Sequence, residues 1–109
     1  MELSKKDKKA AHAVIDKGLD IEFARGLSKF EGILNKWKSG AFENNRAAYH
    51  ELFKSVTNFD KHIARRYDGL SGSRYWLTVL EQLRDGVIHE SDLEGFEAET
   101  RQKLMDILR

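Results

Sequence analysis

The densest set of chemically capable side chains lies in one stretch, Arg65-Arg66-Tyr67-Asp68-Gly69-Leu70-Ser71-Gly72-Ser73-Arg74-Tyr75-Trp76. Three arginines flank a Gly/Ser-rich segment that leads into a helical pattern. Free amides and the positive end of a helix dipole attract anions. The guanidinium fork matches phosphate or carboxylate. Tyr75 and Trp76 offer faces for stacking or for a pocket wall. The candidate binding set is therefore Arg65, Arg66, Ser71, Gly72, Ser73, Arg74 and Tyr75. A plainer reading stands beside it: Gly69 ends one helix, Ser71 or Ser73 caps the next, and the arginines are solvated. The stretch is not a P-loop, because it has no Gly-Lys-Ser/Thr ending and no preceding strand.

Other chemistry finds less support. His50 and His62 stand twelve residues apart, which turns them roughly 120° away from a common helix face. His12 and His89 fall in other segments, and Glu51 follows His50 directly, so no metal-ligand spacing emerges. Asp85-Gly86-Val87-Ile88 with Asp92 echoes half of a calcium loop, but Leu83 stands where an oxygen ligand is needed. The chain has no cysteine, which excludes disulfides, thiolate metal sites and thiol nucleophiles. Serines sit at helix caps, and no Gly-x-Ser-x-Gly elbow exists. Glu97 and Glu99 have Arg101 and Lys103 at the favourable i,i+4 spacing, as a solvated face would. These absences predict no metal, no cofactor and no enzyme. Lys5, Lys6, Lys8 and Lys9 suggest a basic arm, diluted by Asp7 and Asp16.

These residues must be carried by helices. Phe23, Leu27, Phe30, Ile33, Leu34 and Trp37 recur at threes and fours, as do Tyr49, Leu52, Phe53, Val56, Phe59, Ile63 and Tyr67. Both sets are helix stripes, read here as core. Proline is absent, which suits long helices with short connections. Ser4 caps a lysine-rich helix over about 5–17 that Gly18 closes. Asp20 caps a second over about 21–39, ended by Gly40, with Gly26 and Gly32 inside it. Those two glycines mark either a close helix contact or a weak stretch. Asn44 or Asn45 caps a third over about 45–67; a fourth runs over about 73–85. Ser91-Asp92-Leu93-Glu94 reads as a capping box for the last. The predicted fold is all-α, an up-and-down bundle of four to five helices with short Gly/Ser/Asn turns. Short turns also permit an open arrangement completed by a second chain. Residues 1–109 form a single helical domain, within which 1–18 has a thin apolar face and is read as loosely packed or frayed.

With 19 Lys+Arg against 18 Asp+Glu the net charge is +1, which makes no global case for nucleic acid or an anionic membrane. No apolar run approaches a signal peptide or a membrane span, so the expected location is the cytoplasm. The leading expectation is a protein–protein interaction module, homodimerisation included. Aromatics near arginine, the kind of side chain interfaces enrich, carry that expectation, and the candidate surface is the junction of the third and fourth helices, with Arg65, Arg66, Arg74 and Tyr75. The alternative is nucleic-acid or phosphate binding through Arg65, Arg66, Arg74 and the N-terminal lysines.

Overall fold

The computed structural model describes Met1–Arg109 and contains four α-helices and no strand. They are α1 (Lys5–Lys38), α2 (Asn45–Tyr67), α3 (Tyr75–Arg84) and α4 (Ala98–Leu108). Two 3₁₀ turns, Gly72–Arg74 and Glu90–Leu93, precede α3 and α4. The chain divides into two compact units. One comprises Met1–Ile21 with Gly69–Arg109; the other is Glu22–Asp68.

The first unit holds most of the hydrophobic core. Leu3, Ala11, Val14 and Ile15 are buried at one end of the sequence; Val79, Leu80, Leu83, Val87, Ile88, Leu93, Phe96 and Leu104 are buried at the other. Each fully buried side chain of the Leu, Ile or Phe kind contributes about 1.5–3 kcal/mol. Ser4 caps α1 as the sequence suggests, its Oγ accepting from the Asp7 amide at 3.1 Å. The Asp7 carboxylate is itself almost fully buried. Its Oδ1 accepts from the Glu97 amide at 2.8 Å and its Oδ2 from the Thr100 hydroxyl at 2.5 Å. An α1 side chain thereby caps the start of α4, where helix amides lack partners of their own.

The helices depart from two expected boundaries. The helices predicted over 5–17 and 21–39 are one uninterrupted helix, α1. Gly18 does not end it. A Cβ at Gly18 would lie 2.2 Å from Gln82 Nε2, and that amide donates to the Ile15 carbonyl at 3.2 Å. Glycine is there for close approach, not for a turn. The last helix begins at Ala98, after the predicted Ser91–Glu94 box. Asp92 Oδ2 instead accepts from the His89 amide at 2.8 Å, closing the turn that Glu90–Leu93 forms.

The second unit is an antiparallel helical hairpin made of the remainder of α1 and α2. Its turn uses Gly40 in the left-handed region, φ 78°, a conformation that costs glycine little. Asn44 then caps α2, accepting from the Ala47 amide at 2.8 Å. The Phe59 ring is held edge-on by Phe23 and Phe30, both at 5.7 Å between centroids. It lies over Gly26, where a Cβ would approach it to 2.7 Å. Gly26 therefore does sit under a close helix contact, while nothing faces Gly32. At the turn, Trp37 Nε1 donates to Asn45 Oδ1 at 2.9 Å.

Candidate functional site

The most concentrated polar cluster belongs to the hairpin and centres on Glu22, which is buried. His62 Nε2 lies 2.7 Å from Glu22 Oε1, and Arg66 Nη1 donates to the same oxygen at 2.9 Å. The Tyr67 hydroxyl donates to Oε2. His62 and Arg66 are four residues apart, one turn of α2, so they present donors from one face. Burial alone pushes the Glu22 carboxyl up. The hydrogen bonds from Tyr67 and His62 and the Arg66 charge outweigh it and hold the carboxyl below its ordinary value. A general acid or base near neutral pH needs the opposite, a carboxyl raised toward the working pH. This cluster is therefore a charged clamp between two helices. Sequence reasoning missed Glu22. Its only signal was the donor row His62-x-x-x-Arg66-Tyr67, in which His62 reads as a boundary residue and Tyr67 as core.

The predicted binding residues are distributed over both units. Arg65 is exposed near the end of α2, whereas the neighbouring Arg66 side chain keeps only 8% of its surface and is engaged by Glu22. Ser71, Gly72, Ser73, Arg74 and Tyr75 belong to the other unit. There Ser71 Oγ and Ser73 Oγ are 3.0 Å apart, and Gly72–Arg74 form the 3₁₀ turn. Arg74 is exposed. The aliphatic stem of Lys8 passes 3.4 Å from where a Gly72 Cβ would stand. Tyr75 is half-buried, its ring edge-to-face with His12 at 6.1 Å. Lys5, Lys6, Lys8 and Lys9 are exposed along the first turns of α1.

The hairpin's apolar residues depart furthest from expectation. Both stripes read as core, yet Ala48 is the single buried hydrophobic residue in this unit. Phe23, Leu27, Leu34 and Trp37 of α1 and Tyr49, Phe53 and Val56 of α2 are all exposed, Leu27 at 66%, Tyr49 at 68% and Phe53 at 57%. The reason is geometric. Phe59, Ala48 and Leu52 fill the narrow seam between two helices, and a pair of helices has no third element to cover the flank. At 100° per residue each exposed set falls within about 80° of its helix circumference. Both sets point to the same side of the hairpin: Leu34 and Tyr49 line one shallow apolar depression of about 310 Å³, with Ile33, Trp37, Asn45, Ala48 and Leu52. Tyr49 and Phe53 stack at 6.4 Å along its α2 wall. Taking roughly 200 Å² for an aromatic side chain and somewhat less for Leu and Val, the seven leave about 700 Å² of apolar residue surface in water. The largest patch on a typical monomer is about 300–600 Å².

Comparison with protein-family models and with curated proteins returns no match. No three His, Asp or Glu side chains come together to hold a metal ion. No helix is long and apolar enough to cross a membrane. What stands out physically is one saturated charge clamp and, on the same hairpin, an uncovered apolar face.

Proposed function

We propose that this protein works by binding another protein chain, and that the contact surface is the apolar flank of the Glu22–Asp68 hairpin. The carrying observation is the exposure of Phe23, Leu27, Leu34, Trp37, Tyr49, Phe53 and Val56 on one side of two paired helices. Exposed aromatics supply large contact area at low entropic cost, which is why interfaces enrich them. The Arg65–Tyr75 stretch recedes in this reading, because Arg66 is already held by Glu22. The bundle expected from the sequence is then completed between chains, in a cytoplasmic setting.

The test is photo-crosslinking from position 49 in the full-length chain inside cells. A crosslinked protein adduct is expected from position 49 and none from position 29, a lysine of α1 away from the exposed stripe. Absence of any protein adduct from position 49 overturns the reading.

A further inference from the structure

We propose that the occupant of this face is a second copy of the same chain, giving a homodimer whose centre is a four-helix layer built from two hairpins. The inference rests on the protein-binding reading above and names its partner. Three observations select the occupant.

Spacing is the first. On α1 the exposed residues 23, 27, 34 and 37 keep to one narrow row, as 49, 53 and 56 do on α2, while Phe30 in the α1 row is engaged by Phe59 of the same hairpin. Spacings of three, four and seven are those by which one helix packs on another. A lipid surface favours a broader apolar face rimmed by Lys and Arg. Here the stripes are narrow, and Asp60 continues the α2 row beyond Val56.

Area is the second. Complete burial of these seven residues on both copies gives at most about 1,400 Å² from them, which reaches the roughly 1,200–2,000 Å² of specific stable interfaces.

Self-complementarity is the third. A two-fold interface uses the same patch twice, so both helices of one hairpin must offer what both helices of the other accept. Each stripe here carries aromatic and aliphatic residues in the same helical period, and the depression by Trp37 and Tyr49 can receive bulky side chains projecting from a facing hairpin. The chain's net charge of +1 adds little long-range repulsion between copies.

The experiment uses the purified full chain across a concentration series, with mass read by light scattering and sedimentation. The expected mass is twice that of the 12.6 kDa chain. Leu27→Glu with Phe53→Glu should weaken dimerisation at least about 100-fold, since buried charges at an interface centre are poorly tolerated. Circular dichroism should report unchanged helicity, because both side chains are exposed within one chain. Leu77→Glu, at an exposed apolar residue in the other unit, should leave the mass doubled. A readout that needs no change to the face comes from Trp76→Phe, which leaves Trp37 as the single tryptophan. Its emission should shift to the blue as concentration rises. A chain that stays monomeric at 100-micromolar concentration, on the order of a weak dimer's dissociation constant, overturns the proposal. So does a dimer indifferent to the paired glutamates, or one that forms without moving the Trp37 emission. A monomer that floats with anionic vesicles also overturns it and assigns the face to lipid. Protein adducts from position 49 in cells, together with a monomeric purified chain, would leave the binding reading standing and remove only the second copy.

Discussion

His62 Nε2 lies 2.7 Å from Glu22 Oε1, joining α2 to α1 across forty residues of sequence. The carboxylate it approaches is shared with Arg66 and Tyr67, so one acidic side chain answers three donors. The carboxyl is held below its ordinary value, despite burial, by those partners. A carboxyl whose folded value is depressed adds stability that is present above its unfolded value and lost as pH falls through the folded one. Wild-type protein should therefore lose stability below about pH 4.5, near the unfolded carboxyl value, by more than Glu22→Gln does. Urea unfolding at stepped pH measures this. Parallel pH curves for the two proteins would contradict the clamp.

Arg65 and Arg66 are neighbours with unequal roles. Removing one partner of a buried ion pair costs about 3–5 kcal/mol when the remaining charge is left alone, and about 2 kcal/mol is expected for Arg66→Ala, because Glu22 keeps His62 and Tyr67. Arg65→Ala, at an exposed position, should fall within about 0.5 kcal/mol of wild type. Chemical denaturation of the two single variants decides the matter. Equal losses would mean that the Glu22 contact contributes nothing.

Three glycines of α1 should respond to alanine with different signs. Gly32 faces open space, so Gly32→Ala should stabilise by about 0.5–1 kcal/mol through helix propensity alone. Gly26→Ala pushes a methyl into the Phe59 ring, which Phe23 and Phe30 hold in place. Gly18→Ala displaces the Gln82 amide from the Ile15 carbonyl. Overpacking of this kind costs about 1–3 kcal/mol. Thermal melts of the three variants would show one rise and two falls.

The same glycines show what the sequence could and could not disclose. The span of α2 was legible end to end, because Asn44 supplies a cap and the stripe from Tyr49 to Tyr67 is unbroken. The continuity of α1 through Gly18 was not. A glycine that ends a helix and one that admits a neighbour look alike until the neighbour, Gln82, is known to be there. Glu22 was invisible for the same reason: its meaning lies in residues 62, 66 and 67. The spacing of the two apolar stripes predicts helices, which they are, and burial, which most of their large side chains lack. Periodicity reports which face of a helix is apolar; it does not report whether the cover comes from the same chain. The polar residues of the arginine-flanked stretch are close in sequence, yet Arg66 finds its partner in α1.

Asp7→Ala should be among the most damaging single changes. It removes the acceptor of the Glu97 amide and the Thr100 hydroxyl from a site with almost no solvent. Hydrogen bonds to a charged acceptor are worth about 1.5–3 kcal/mol each, so a loss of about 3 kcal/mol is expected. Asp7→Asn keeps an acceptor and should lose roughly half as much. Urea midpoints of the two variants provide the check; near-identity of Asp7→Ala with wild type would refute the cap.

That long-range cap also constrains birth on the ribosome. Asp7 is translated about ninety residues before the amide and hydroxyl it serves, and synthesis at about 5–20 residues per second makes it wait several seconds. Until then the early segment carries a carboxylate that must keep its hydration shell, which opposes premature collapse around it. The Glu22–Asp68 hairpin needs no such late arrival, so in a nascent chain it can assemble first, offering its greasy flank while the terminal unit is still unfinished.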